Sequence, residues 1–169
     1  MTYTTFNELA PSFSRDGNWI YFGSDRSGDF QVWKMPSKGG DAVQVTRKGG
    51  SHPQESMDGK MLFYLKPIDL DNDELWKVPV EGGEELRVLE KVFLWNFQVM
   101  EHGIYYVPQP GPTRTPFLLY DFTSRKIKTI ALIENSVGIG FTVSPDEQEI
   151  LYMQGGGARS DLMLVENFR

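Results

Sequence analysis

The chain contains no cysteine. Disulfides, thiol catalysis and Cys-based zinc sites are thereby excluded, while the redox compartment stays open. Histidine is scarce, with only His52 and His102 present. No Gly-x-Ser-x-Gly turn accompanies them, and Gly49-Gly50-Ser51-His52-Pro53 does not match that pattern. Serine-nucleophile catalysis therefore lacks its sharp turn. Basic residues are outnumbered, 17 against 23 acidic ones, for a net charge of −6. Nucleic acid is not expected as a partner, because phosphate contacts need a basic face. No apolar run approaches membrane-spanning length, so no membrane partner is expected. The first ten residues lack the charged and apolar regions of a signal peptide, which leaves cytoplasm and periplasm both open. No window longer than ten residues keeps a clean 3.6-residue period, so helix is nearly absent from the reading.

What the chain does have is a repeat. Pro11-Ser12-Phe13-Ser14-Arg15-Asp16-Gly17-Asn18-Trp19-Ile20-Tyr21-Phe22 reads as strand, tight turn, strand. Asp-Gly is a strong hairpin signal, since Gly takes positive φ cheaply and Asp tolerates it. The same punctuation returns at Ser56-Met57-Asp58-Gly59, weakened at Met100-Glu101-His102-Gly103, and at Ser144-Pro145-Asp146-Glu147. The third positions step by 42, 44 and 44 residues. Downstream, Trp33, Trp76, Leu119 and Met163 step by 43, 43 and 44, and the Gly39-Gly40 and Gly82-Gly83 pairs by 43. Three markers sharing a period in the low forties, on short strands, indicate propeller blades. The fold class is all-β: a β-propeller of four four-stranded antiparallel blades, read as one domain over 1–169. The blades fall near 5–46, 47–89, 90–132 and 133–169. Residues 1–4 are the spare outer strand expected to complete the last blade. Two closures fit, a four-blade ring or two half-rings that exchange strands as a homodimer with eight blades.

The stretch Phe13-Ser14-Arg15-Asp16-Gly17, with Ser24-Asp25-Arg26-Ser27-Gly28 and Val32-Trp33-Lys34-Met35, resembles the TolB-type, WD-like propeller repeat. Blade two carries it in Leu75-Trp76-Lys77-Val78, and blade four in Ser144-Pro145-Asp146 and Asp161-Leu162. Blade three keeps only the spacing. The resemblance spans the chain and rests on turn and packing residues. It implies a bacterial protein whose propeller is a binding platform, as in periplasmic TolB, in the sensory C-terminal parts of winged-helix regulators and protein kinases, and in prolyl-oligopeptidase-type enzymes. The ending 160–168 resembles that of the regulator-attached kind. Rings of this family usually have six or more blades, so four units imply a fragment or an assembled half.

The expected function is a non-enzymatic binding module for a protein or small ligand, without cofactor or metal. The alternative is the detached propeller of a larger enzyme, such as a prolyl-oligopeptidase-type serine peptidase or a lyase. The loops expected on one propeller face carry Arg26, Asp29, His52, Asp69, Asp71, Trp95, Arg114 and Arg159, a mix of charge and aromatics typical of interaction surfaces. Asp69-x-Asp71-x-Asp73 invites a calcium reading, but Glu74 stands where an EF-hand needs Gly and Val80 where it needs the bidentate Glu. It reads better as a solvated acidic loop. Gly155-Gly156-Gly157-Ala158-Arg159 has no Lys-Ser/Thr behind it and reads as a strand connector rather than a phosphate cradle. Trp33 and Trp76 are assigned to inter-blade core, and His102 to a turn position. On this reading Arg26→Ala or Trp95→Ala weakens ligand binding without lowering the melting temperature.

Overall fold

A computed structural model describes residues 5–110, 113–156, 159–166 and 168; of Arg159 it describes the backbone only. The expectation that residues 1–4 complete the last blade lies outside the described residues.

The architecture is an all-β propeller. Four antiparallel meanders follow one another along the chain. The first sheet is β1 (Glu8–Phe13), β2 (Trp19–Ser24), β3 (Gln31–Pro36) and β4 (Val43–Gln44). The second is β5 (Ser51–Glu55), β6 (Met61–Pro67), β7 (Asn72–Pro79) and β8 (Leu86–Phe93). The third is β9 (Phe97–Val99), β10 (Gly103–Tyr106), β11 (Arg114–Asp121) and β12 (Ile127–Glu134). The fourth is β13 (Val137–Val143), β14 (Glu149–Gly156) and β15 (Arg159–Glu166). It has three strands among the described residues, where four were expected. Two compact units form, one of residues 1–68 with 74–90 and one of 69–73 with 91–169.

The hairpins are built alike, and for a local reason. Ser14, Ser56 and Ser144 each donate their hydroxyl to the Asp two residues on, at 2.6 Å in all three. The same hydroxyl accepts the backbone N–H of Trp19, Met61 or Glu149. One side chain thus closes the turn from both sides, as Ser and Asp do in local turns. The fourth turn residue adopts positive φ at Gly17 and Gly59, and also at Glu147 with φ of 56°. In the third sheet Met100 replaces the serine, and the backbone bond from Met100 N to Gly103 O closes the turn in place of the hydroxyl bonds. These turns place Tyr21, Phe63, Tyr105 and Leu151 at equivalent positions, two residues after the carbonyl of Trp19, Met61, Gly103 or Glu149 that accepts the Ser or Met backbone N–H.

Each unit has its own core. In the first, Tyr21 and Val32 of one sheet pack on Leu62, Tyr64 and Val78 of the next, with Trp19, Trp76 and Val80 beside them. Gly50, at φ 147°, lies so close to the Tyr64 ring that a Cβ would stand 2.5 Å from it. In the second unit Tyr105, Phe117 and Leu119 pack on Val143, Ile150 and Tyr152. Phe117 meets Phe141 and Tyr152 edge-on, with centroids 5.2 and 5.4 Å away. Polar side chains fix the register: Asn96 is buried, accepts Gly140 N–H at 2.7 Å and donates to Gly138 O at 3.0 Å, and Gln98 accepts Val143 N–H at 2.8 Å.

Candidate functional site

A cleft of about 480 Å³ opens in the first unit, at the hairpin-turn end of its two sheets. The turns carrying Asp16 and Asp58 form its rim, with Met57 exposed between them. Trp19 and Tyr21 of β2 and Lys34 of β3 form one wall, and Glu55, Val80 and Glu81 of the second sheet the other.

Its floor is a buried carboxylate. Glu55 accepts the Tyr21 hydroxyl at 2.8 Å on one oxygen and the Arg15 backbone N–H on the other. The Arg15 guanidinium donates to the Glu55 carbonyl at 3.1 Å. Burial, reinforced by this carboxylate acceptor, pushes the Tyr21 phenol far up, so it stays protonated and donating. Lys34 is buried too, donating its ammonium to Val80 O at 2.8 Å above the Trp19 ring, 4.8 Å from the centroid. Asp16 and Asp58 are held below the usual carboxylate range by the Ser14 and Ser56 hydroxyls. The cleft therefore presents four carboxylates (Asp16, Glu55, Asp58, Glu81) against two cations (Arg15, Lys34).

None of the eight sequence-predicted residues lines this cleft. Arg26 is committed elsewhere. Its guanidinium pairs with Glu8 and lies between the Phe22 and Trp33 rings, 5.1 and 5.0 Å from their centroids. Lys66 does the same work in the second sheet, over Trp76 and Tyr64 and paired with Glu85 at 2.8 Å. Arg26 is thus a repeat packing element. Trp33 and Trp76 are half-buried under these cations. Trp76 donates its indole N–H to Glu74, whereas the buried Trp33 N–H has no acceptor because Gln31 at the corresponding place accepts from Thr46 and Gly49.

Asp29 is exposed on the β2–β3 turn. His52 occupies a bulge in β5 at φ 51°, beside the register shift between Ser51 and Gln54. Its Nδ1 lies 3.0 Å from Ser51 Oγ, and burial pushes the imidazole down to about 4. Ala10 and Gly140 hold the corresponding bulge with positive φ in two other sheets. The strained backbone therefore belongs to the repeat rather than to a site.

In the second unit, two of the predicted loops do come together. Asp71 O accepts Leu94 N–H at 3.0 Å. Asp69 caps its own turn, accepting the N–H groups of Asp71 and Asn72 at 2.9 Å each. Trp95, 47% exposed at φ 65°, gives its backbone N–H to Asp73, whose burial pushes that carboxyl up to about 6. Arg114 is exposed and stands 3.9 Å from the exposed Glu134. Arg159 begins β15 opposite Gly156, and its side chain lies outside the described residues. His102, on a hairpin turn as expected, places Nδ1 2.9 Å from the buried Glu147, which also accepts the Tyr105 hydroxyl at 2.9 Å. Sequence reasoning passed over Arg15, Lys34, Glu55 and Glu81. The available signal was the Ser-x-Asp-Gly turn itself, treated as fold punctuation when it also builds the cleft rim.

The chain resembles known propellers in fold. TolB-type structures from Acinetobacter baumannii and Agrobacterium tumefaciens superpose with TM-scores of 0.77 and 0.74 at 16% and 15% identity. Each superposition covers 96% of this chain but only 41% and 59% of the other. A prolyl endopeptidase structure matches with a TM-score of 0.62 and 14% identity, over 96% of this chain and 28% of that one. In sequence, the uncharacterized protein Atu1656 of Agrobacterium fabrum is 32% identical over a 71-residue alignment that covers 36% of this chain and 24% of that protein. The chain thus spans less than two thirds of each of these relatives. No family model matches it.

Proposed function

We propose that this chain, a propeller of the TolB-type fold, is a non-enzymatic binding module whose first unit takes a positively charged peptide segment of a partner. The observation that carries the reading is the cleft: four carboxylates against two cations, with Trp19, Tyr21 and Met57 offering apolar contact. A cationic side chain gains from the local field and from the net charge of −6. Lys34 donates to Val80 O and stands 3.7 Å from the Glu81 carboxylate, so its charge is engaged within the cleft. Backbone and side chains along the floor are tied to one another, which suits a preformed site with little ordering cost.

A second reading comes from the neighbours. The prolyl endopeptidase structure contains a propeller of similar fold, so this chain would then be the propeller part of a hydrolase. A titration separates the two. Unlabelled lysine-rich, acidic and proline-containing peptides are added to the isotope-labelled chain, and amide shifts are followed alongside hydrolysis of the same peptides. The binding reading expects saturable shifts at Arg15, Trp19 and Gly59 with the lysine-rich peptide and no cleavage. Saturable shifts with the proline-containing peptide, and none with the lysine-rich one, would overturn it and favour the second reading.

A further inference from the structure

Two loops of the middle sheets come together in the second unit, and the cleft of the first unit uses neither. One is the β6–β7 turn at 68–71, the other the β8–β9 connection at 94–96. Asp71 O accepts Leu94 N–H at 3.0 Å, and Asp73, buried near the start of β7, accepts Trp95 N–H.

The β6–β7 turn is braced from within. Asp69 takes the N–H groups of Asp71 and Asn72 and the Asn72 side-chain amide on one oxygen, each at 2.9 Å. Its own N–H donates to Asn72 O at 3.2 Å. An aspartate closing its own turn in this way fixes the loop without help from the side chain at the tip. That side chain is Leu70, 96% exposed, the highest value among the large apolar side chains described. Turn tips favour Gly, Asn, Asp and Ser, and a leucine left in water contributes no burial to the fold. The corresponding turn of the first sheet, Asp25-Arg26-Ser27-Gly28-Asp29, is polar throughout.

A lone exposed leucine would mean little, but a second apolar group stands on the adjoining loop. Trp95 is 47% exposed. Carboxylates flank the pair. Asp69 and Asp71 are both exposed, and Asp69 is held below the usual range by the Asp71 N–H and the Asn72 amide, with a smaller contribution from Lys91. At the base of the turn Asn72 is 4% exposed, and its Oδ1 has no partner among the described residues. The loop therefore also holds an acceptor that the fold itself leaves unused. An apolar centre with a charged border is the anatomy of an interaction surface.

We propose that Leu70 and Trp95 form a docking tip for a protein partner whose surface carries an apolar patch bordered by lysine or arginine. The two apolar side chains cover the patch, and Asp69 and Asp71 meet the basic border. The carboxylates decide the occupant. A bilayer interior would strip water from them without supplying a cation, whereas a basic border leaves them paired.

The test titrates the isotope-labelled chain with a helical leucine–lysine peptide, apolar on one face and basic on the other, and follows amide and indole shifts. Saturable shifts are expected at Leu70, Asp71 and the Trp95 indole, with none there when glutamate replaces the lysines. Leu70→Ser is expected to weaken this binding by about tenfold, the order for one leucine withdrawn from burial. Asp71→Asn should give a smaller loss. Both positions are exposed, so circular dichroism stays unchanged. Shifts at Arg15, Trp19 and Gly59 report the first-unit cleft separately, so failure at one surface leaves the other readable. The absence of peptide shifts at Leu70 and Trp95 overturns the proposal, as does unchanged binding by Leu70→Ser or an equal response to the glutamate peptide. In the first case, sedimentation of the chain with phosphatidylcholine vesicles would assign the tip to a membrane instead.

Discussion

The Tyr21 hydroxyl donates to the Glu55 carboxylate across two adjacent sheets at 2.8 Å. In the second unit Tyr105 donates to Glu147 at 2.9 Å. The tyrosines are equivalent in the repeat, but the acceptors are not. Glu55 ends the first strand of its sheet, whereas Glu147 occupies the turn position that is glycine in two other hairpins. The requirement met twice is an acceptor for a buried phenol, and the backbone position supplying it differs.

Tyr21→Phe removes one donor from a buried carboxylate. The expected loss is about 1.5–3 kcal/mol of stability, typical of a hydrogen bond to a charged group. Urea denaturation of the two proteins measures it; an unchanged midpoint would mean the bond carries no net stability.

Glu147→Gly has two opposing effects. Glycine relieves a non-Gly residue at φ 56°, worth roughly 1 kcal/mol. Against that, the buried Tyr105 loses an acceptor, at about 1–3 kcal/mol. The substitution is expected to destabilise the wild type and to stabilise a Tyr105→Phe background. Thermal unfolding of the four proteins checks the change of sign.

Arg26→Ala is expected to lower the melting temperature, in contrast to what its loop position suggests in sequence. The guanidinium holds Glu8 and covers two aromatic rings. Arg26→Lys should retain most of the stability, because Lys66 fills the equivalent role. Calorimetric scans of the two variants decide it, and an Arg26→Ala protein melting like the wild type would contradict the assignment.

Asp73 titrates near 6 in the folded chain, above its ordinary value near 3.8. The folded state therefore holds this proton more tightly than the unfolded chain. Its contribution is fully present below pH 4 and is lost as pH rises through about 6, up to roughly 3 kcal/mol. Asp73→Asn keeps an acceptor for Trp95 N–H without the charge. It should stabilise the protein at pH 7.5 and have little effect at pH 4. His52 works in the opposite direction, since its folded value near 4 lies below 6.5 and its contribution fades as pH falls between them. Urea midpoints measured across pH for Asp73→Asn and His52→Asn separate the two.

The fold was legible because the repeat is written in turn chemistry. Ser14, Asp16 and Gly17 specify a hairpin within a few residues, and the period does the rest. The candidate cleft was not, because its defining contacts join residues about 40 positions apart. Nothing near Glu55 in sequence says that Tyr21 will donate to it. Arg26 and Lys66 likewise differ in type and in distance from their hairpins, so their shared stacking role shows only once Phe22, Trp33, Tyr64 and Trp76 are in place. Asp29 and Trp95 are exposed, but exposure alone does not place a cleft.

The most direct test sets the cleft against the loop surface at the other end of the strands. A lysine-rich peptide is titrated by calorimetry into the wild type, into Glu81→Gln and into Asp29→Asn; both substituted side chains are exposed, so neither variant should lose its fold. The account expects several-fold weaker binding for Glu81→Gln and wild-type affinity for Asp29→Asn. Weaker binding by Asp29→Asn, with Glu81→Gln unchanged, would contradict it and return the site to the loops.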